Sequence, residues 1–300
     1  LCAAVAAARH GATVALMHDR PMLGGNASSE VRMWVCGAKG PNLRETGLIE
    51  EIMLDNQHRN PEQVFSIWDS ILYEKARFEP NITLLLNCSC LDAEMRDGRL
   101  VKVRGWQTTT QTWQEVEAPL FADCSGDSVL APLTGADFRV GREASAEFGE
   151  DIEPPQADRK TMGMSCLIQA REYPEKRAYI APFWAEPFTA DKLPYRKPNP
   201  RNNSENYWYL ELGGEQDAIA DTESIRDQLQ DAAYGIWDYV KNSGEYSGAA
   251  ENLDLDWIGI LPGKRESRRY VGDYIMTQND VRAEGRFDDL VAYGGWTMDD

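Results

Sequence analysis

The chain has 300 residues, of which 42% are hydrophobic and 27% charged, and its 49 acidic side chains against 31 basic ones leave a formal charge of -18. That length allows two lobes with separate cores, and the composition is that of an ordinary water-soluble globular protein. The acidic balance argues against nucleic acid as a partner, since phosphate binding needs a basic surface, and no apolar run approaches the roughly 20 residues of a membrane span.

The Ala-rich opening, Leu1 to Ala8, has no basic stretch before it and runs straight into Arg9-His10-Gly11. It predicts a packed helix ended by Gly11 rather than a signal peptide, which favours a cytoplasmic protein. Thr13 to Met17 is an unbroken apolar run bounded by His18-Asp19-Arg20-Pro21, the pattern of a strand covered on both faces in a parallel sheet. A small-residue loop, Gly24-Gly25-Asn26-Ala27-Ser28-Ser29, then leads to a predicted strand over Val31 to Val35.

Two helices are predicted next, around Gly47 to Asp55 and from Pro61 to Phe78. In the second, Pro61 suits a first turn, and Val64, Ile67, Trp68, Ile71 and Leu72 recur at helical spacing. Ile82 to Leu86 reads as a buried strand. Cys88 to Glu94, Leu100 to Trp106 and Trp113 to Ala118 form a predicted meander, with Asp97-Gly98 as a hairpin turn signal. Leu120 to Cys124 is a further predicted strand, ending in Ser125-Gly126-Asp127.

From Phe148 to Asp158 the chain is acidic and Pro-containing, which marks a linker. Thr161 to Ala170 reads as a strand, 182–206 as an irregular excursion, and Asn206 to Leu212 as a strand. Asp221 to Asn242 is the clearest helix, with Thr222 as its expected N-cap and Gly244 beyond its end. Trp257 to Leu261 is strand-like and leads into Pro262-Gly263-Lys264-Arg265.

The six cysteines, Cys2, Cys36, Cys88, Cys90, Cys124 and Cys166, include no Cys-x-x-Cys pair. Zinc ribbons, iron–sulfur clusters and thioredoxin-like chemistry therefore gain no support, and free thiols are expected. Asn-x-Ser/Thr sequons at Asn26, Asn81, Asn87 and Asn202 decide nothing.

Taken alone, the opening helix and strand would suit any α/β protein. The passage from Ala12 through Val14-Ala15-Leu16-Met17 to Gly24-Gly25-Asn26 resembles the second-strand-to-diglycine region of two-dinucleotide-domain, glutathione-reductase-like flavoproteins. Its continuation Asn26-Ala27-Ser28-Ser29-Glu30 is similar to a subgroup of FAD-dependent oxidoreductases of unassigned substrate. Three further stretches carry that resemblance: Phe121 to Asp127, Arg159 to Ser165 and Gly263 to Asp273. Together they span nearly the whole chain.

The resemblance implies an α/β fold: a Rossmann-like FAD-binding domain with a β-meander, interrupted by an α+β substrate domain. The expected boundaries are 1–153 for the first part of the FAD domain, 154–259 for the substrate domain and 260–300 for an incomplete return. The Gly-x-Gly-x-x-Gly turn that holds pyrophosphate in such folds is absent from these residues, as is a closing C-terminal flavin segment, so the resemblance implies a fragment.

The implied cofactor is FAD, with Asp19, Arg20, Gly24, Gly25, Asn26, Ser28, Ser29, Ser125, Gly126, Asp127, Arg265, Arg268 and Arg269 on its side. Glycine lets backbone approach a flat ring, and guanidinium matches phosphate geometry. Each residue also has a plain reading as loop, cap or surface ion pair. Relatives place Glu at the end of the second strand for the ribose; here that slot falls on His18, with Asp19 next. No iron–sulfur cluster is assigned.

The expected reaction is hydride transfer between flavin and a small organic substrate. No catalytic residue is assigned: of His10, His18 and His58 none stands out as a base, and Glu30, Arg32, Tyr207 and Trp208 are only candidates to face substrate. The alternatives are an NAD(P)-binding Rossmann enzyme without flavin and a non-catalytic dinucleotide-binding scaffold. Oligomeric state is not legible.

Overall fold

In the opening segment Ala4, Val5 and Ala8 fall on one face of a helix, α1 (Cys2–Arg9), and are buried. Gly11 follows its end at φ 94°, a left-handed value that suits glycine. The apolar run beyond it forms β1 (Val14–Met17). These residues belong to a computed structural model that describes residues 1–37, 46–193, 197, 198, 200, 207–292 and 298. Two units divide the chain, one of Leu1–Ser29, Trp34–Arg159 and Arg268–Asp300, the other of Glu30–Met33 and Lys160–Ser267.

The predicted strand over Val31 to Val35, where the chain passes from the second unit back to the first, does not form: residues 32–37 join no ladder, and Arg32 sits at φ 64°. A left-handed residue cannot continue a strand. α2 (Gly47–Arg59) and α3 (Phe65–Arg77) follow. α3 starts four residues after Pro61, because the Asn60 carboxamide accepts from the Val64 N–H at 2.7 Å and Gln63 lies at φ 53°. Its face of Trp68, Ile71, Leu72 and Ala76 packs with Leu23 and Ile52 in one apolar cluster.

β2 (Ile82–Leu85) pairs in parallel with β1, Val14 opposite Ile82 and Met17 opposite Leu85. The meander is β3 (Cys88–Arg96), β4 (Arg99–Gln107) and β5 (Thr112–Glu117), in that spatial order and antiparallel. Asp97 and Gly98 both have positive φ, 51° and 75°, which is the twist a two-residue hairpin turn requires. At Gly105 a Cβ would meet Met17 Sδ at 2.6 Å and Cys88 Sγ at 2.8 Å, so only glycine lets the meander lie this close to β1. Leu120 to Cys124, predicted as a strand, joins no ladder among the described residues. α4 (Leu130–Thr134), β6 (Phe138–Arg139) and α5 (Ser145–Phe148) complete this stretch.

The second unit is a small antiparallel assembly on one long helix. Its elements are β7 (Met164–Ser165), β8 (Ile168–Glu172), β9 (Glu211–Leu212), α6 (Thr222–Asn242), α7 (Ser247–Ala250), β10 (Leu253–Ile258) and β11 (Gly263–Lys264). β7 lies between β9 and β11, and β8 pairs with β10. The strand predicted from Asn206 begins outside the described residues, and Tyr207 at φ 60° confines regular pairing to β9. α6 buries Ile225, Leu229, Ala232, Ala233, Ile236, Trp237 and Val240 against Met164, Cys166 and Ile168. Its N-cap is Asp221 rather than Thr222, whose hydroxyl donates back to Ala218 O at 2.8 Å.

The chain then rejoins the first unit through β12 (Arg269–Tyr270), which pairs with β6, and α8 (Gln278–Arg282). Thr277 and Asp280 form a reciprocal capping box at the start of α8. The Gln278 N–H also donates to Glu150 Oε1 at 2.7 Å, and Arg282 pairs with Asp151 at 2.7 Å.

Two expectations about stability follow from buried charge. Lys241 is only 7% exposed. Its Nζ donates to Ala250 O at 2.7 Å and Leu253 O at 2.6 Å, tying the end of α6 to α7 and β10. Burial pushes its pKa down, with Asp254 opposing. Lys241→Met keeps the stem and strands those carbonyls, so it lowers unfolding free energy by about 1–3 kcal/mol, read from the denaturant midpoint.

Glu153 has a buried Oε2 without a hydrogen-bond partner among the described residues. Burial, then Glu150 and Glu143, raise its carboxyl above the ordinary 4.5, while Arg142 and Arg269 oppose. Its contribution to stability is therefore full below about pH 4.5 and declines as pH rises through the folded value. Glu153→Gln raises the melting temperature by about one to a few degrees at pH 8 and leaves it unchanged at pH 4.

Candidate functional site

The predicted site residues fall into three groups. The first follows the carboxyl end of β1. His18 remains in the sheet, its N–H donating to Leu85 O and its carbonyl accepting from Cys88 N, both at 2.9 Å. Its ring Nε2 donates to Met22 O at 2.7 Å, so the imidazole closes the turn. The Asp19 carboxylate, 56% exposed, lies 3.7 Å from Arg20 Nε and 3.7 Å from His18 Nδ1. Of the two candidates for the ribose position, Asp19 presents its acceptor to solvent while His18 is used internally.

Gly24 and Gly25 both need glycine, for different reasons. At Gly24, φ 110°, a Cβ would collide with Leu72 Cδ1 at 2.7 Å; at Gly25, φ 56°, nothing lies within 4 Å of where a Cβ would be. Gly24 is thus demanded by packing against α3, whereas at Gly25 the fold leaves space beside the backbone. Beyond them, Asn26 lies in a single 3-10 turn, Gly25–Ala27.

Ser28 is fully buried, and its hydroxyl donates to Gly25 O at 2.8 Å. The Ser29 N–H donates to Asp69 Oδ1 at 3.0 Å, and Trp68 Nε1 donates to Ala27 O at 2.8 Å. Side chains of α3 therefore fix a loop that has no ladder of its own. Trp68 and Asp69 were missed as site residues. The signal was present: Asp69 stands four after Phe65 and three before Leu72, a carboxylate beside the helix's apolar stripe.

The second group is Ser125-Gly126-Asp127, organised by Asp123. Its Oδ1 accepts from Ser125 N at 2.9 Å, and its Oδ2 from Leu130 N at 2.9 Å and the Tyr270 hydroxyl at 2.5 Å. Burial alone would raise the Asp123 carboxyl, but these donors outweigh it and hold the group below its ordinary value. Burial and the same carboxylate push the Tyr270 phenol up. Ser125 Oγ accepts from Val129 N at 3.1 Å. Gly126, at φ 83°, has nothing within 4 Å of its would-be Cβ, as at Gly25.

The third group is the arginines, each of which engages its own partners. Arg268 and Arg269 belong to the first unit and Arg265 to the second. Arg268 Nε donates to Asp127 O at 2.8 Å, which ties the returning chain to the Ser-Gly-Asp turn. Arg269 bonds to Gly141 O and lies 3.1 Å from Glu143. Arg265 pairs with Glu211 and lies 5.6 Å from the Trp208 ring centre.

Of the histidines, His10 follows the end of α1 and His58 is exposed on the last turn of α2. Cys2, Cys36, Cys88, Cys90, Cys124 and Cys166 are all free, and no metal-binding cluster of His, Cys, Asp or Glu occurs among the described residues. Burial raises the Cys166 thiol to about 12, so it stays protonated. No helix among the described residues is long and apolar enough to cross a membrane. In the second unit a shallow depression of ≈ 460 Å³ is lined by Glu211, Gly213, Gly214 and Gln228 among others, and none of the predicted site residues lines it.

These features define a mixed α/β protein in which a parallel strand pair carries a glycine-bearing loop at its carboxyl end. The family model described as FAD dependent oxidoreductase matches residues 1–300, and the chain belongs to that family. It is an FAD-dependent oxidoreductase, with FAD as the cofactor the family implies. Comparison with curated proteins and with solved structures found no match.

The glycine pair gives a test of where the cofactor lies. Gly25→Ala and Gly24→Ala each force an L side chain to positive φ, at about 1 kcal/mol. Gly24→Ala adds the collision with Leu72, so it lowers the melting temperature by several degrees. Gly25→Ala melts within a few degrees of the parent yet loses at least half of its bound FAD, measured by absorbance after gel filtration. Full FAD retention in Gly25→Ala would remove that loop from the site.

Proposed function

We propose that this enzyme transfers a hydride between a small organic substrate and FAD, with the dinucleotide held by the first unit and the substrate taken by the second. The carrying observation is the pair of left-handed glycines Gly25 and Gly126, each with nothing within 4 Å of a would-be Cβ, in the loops after β1 and before α4. The neighbouring loops are held by side chains: Trp68 and Asp69 for one, Asp123 for the other. Rigid, glycine-bearing backbone next to space is what a flat ring and a diphosphate need.

In this reading the Asp19 carboxylate accepts from the ribose hydroxyls, and Arg20 steadies it through their 3.7 Å approach. Gly25 and Asn26 present backbone and carboxamide to the cofactor, while Ser28 and Ser29 shape the loop from within. Ser125, Gly126 and Asp127 form the second wall. When bound, FAD supplies the electron-accepting centre; the protein supplies orientation and exclusion of water. Arg268 and Arg269 act by closing the returning segment over Asp127 and Gly141 rather than by touching the diphosphate.

An absorbance spectrum of the purified protein between about 300 and 550 nm is the direct test. Twin flavin bands, released into the supernatant on denaturation, are expected, together with anaerobic bleaching by the substrate. A colourless protein that also refuses added FAD overturns the reading.

A further inference from the structure

The depression of ≈ 460 Å³ lies wholly within the second unit and has a defined construction. It is lined by Gly213-Gly214, the turn that follows β9, by Glu211, Glu215 and Gln216 on either side of that turn, and by Gln228 from α6. The Thr161 N–H donates to Gly214 O at 2.8 Å, and the Gln216 N–H closes the turn on Gly213 O at 3.1 Å. A Cβ would meet Ile225 Cδ1 at 2.7 Å at Gly213 and Thr161 O at 2.8 Å at Gly214. Both positions therefore demand glycine, and the turn presents bare, well-anchored backbone to the depression. Its volume falls in the range of roughly 300–1,000 Å³ typical of small-molecule sites.

The side chains around this turn differ in what they have left to offer. Glu211 pairs with Arg265, and Glu215 with Lys160 Nζ at 2.6 Å, so the charge of each carboxylate is balanced. The two carboxamides are not used up. Gln228 Nε2 donates to Ser224 O at 3.2 Å and to Ser224 Oγ at 3.3 Å, which orients the amide, while its Oε1 accepts nothing among the described residues. The Gln216 side chain makes no hydrogen bond among the described residues. Leu212 is the only apolar side chain among the described residues of the lining.

These groups select a ligand largely by exclusion. An anion would face two carboxylates. A cation would find their charge already met by Arg265 and Lys160. An apolar molecule would cover the carboxamides and leave them without partners, which costs free energy. What the lining suits is an uncharged molecule carrying several donors close together. Two carboxamide oxygens accept, one carboxamide NH2 donates, and a hydroxyl can answer either.

We infer that this depression is a binding site for a neutral, polyhydroxylated ligand of the sugar class, with Gln216 and Gln228 reading its hydroxyls. The inference goes beyond the flavin reading and does not rest on it, since none of the lining residues belongs to the loops proposed to hold FAD.

The test is saturation-transfer NMR and calorimetric titration of the full chain with D-glucose, D-galactose, D-mannose and myo-inositol. Cyclohexanol, benzoate and benzylamine serve as apolar, anionic and cationic counterparts. The parent is compared with Gln216→Leu, Gln228→Leu and the double variant. Both side chains are exposed, so the variants keep the fold, checked by melting temperature. At least one polyol binds the parent at millimolar concentration or below. It binds about threefold or more weakly to each single variant and about tenfold or more weakly to the double variant, as the loss of one and of two hydrogen-bonding groups requires. The three counterparts bind the parent more weakly than that polyol.

Failure of all the polyols to bind the parent overturns the inference. Equal polyol affinity in the parent and the double variant does so too, as does tighter binding of benzoate, benzylamine or cyclohexanol than of every polyol. The readout needs neither flavin nor turnover, so a colourless protein that binds a polyol through Gln216 and Gln228 sinks the hydride-transfer reading alone.

Discussion

The Asp123 carboxylate is the point at which distant parts of the first unit are tied together. Two backbone N–H groups, from Ser125 and Leu130, and the Tyr270 hydroxyl converge on its oxygens. Tyr270 comes from the segment that returns after the whole second unit has been traversed, so this hydrogen bond closes a very long loop. Closure costs entropy that grows only slowly with length, and a charge-assisted bond between a partly buried carboxylate and a phenol offsets part of it. The neighbouring contacts act the same way: Ser128 Oγ donates to Arg268 O at 2.9 Å, and Arg268 donates in turn to Asp127 O. The Ser-Gly-Asp turn is therefore a product of the return, and each positions the other.

The loop after β1 is built on the same principle from a different side. It runs without ladder partners, yet its backbone polar groups cannot stay unmet where they are buried. α3 meets them with consecutive side chains, Trp68 donating to Ala27 and Asp69 accepting from Ser29. Leu72 from the same helix fills the space that excludes a side chain from Gly24. One helix thus sets the conformation of the diglycine segment, and burying Trp68, Ile71 and Leu72 holds that helix in place.

The regular elements were largely legible in the sequence. α6 announced itself by its apolar spacing, and the hairpin by Asp97-Gly98; β1 and β2 did so by unbroken apolar runs suited to a parallel pair. The failures are instructive because each involves backbone chemistry that composition does not encode. Val31 to Val35 has the residues of a strand, but Arg32 is left-handed and anchored to Gln169 and Trp257. Pro61 looked like a helix start, but the Asn60 carboxamide accepts from Val64 N and the helix begins only at Phe65. Family likeness picked out the Gly-Gly and Ser-Gly-Asp stretches, while the residues that hold them, Trp68, Asp69, Asp123 and Tyr270, are tied by contacts over long sequence separations and left little local trace.

The charge pattern bears on how such a protein meets a dinucleotide. Arginines are the usual partners of an anionic diphosphate, the more so in a chain of net charge -18. Yet Arg265 pairs with Glu211, Arg268 reaches Asp127 O, and Arg269 reaches Gly141 O and Glu143. Each guanidinium is already engaged with an acceptor of the protein itself, and breaking such a contact to reach a ligand would cost most of what the new one gains. The alternative source of positive potential is the backbone: N–H groups near left-handed glycines form concave donors for anions without a formal charge. In the function proposed above, Gly25 and Gly126, each with nothing within 4 Å of a would-be Cβ, are the positions that provide it. Affinity built on backbone donors depends on loop rigidity more than on side-chain charge. That is why Asp69 and Asp123, two carboxylates that would repel a phosphate if they faced it, belong in the architecture as internal acceptors that hold the loops still.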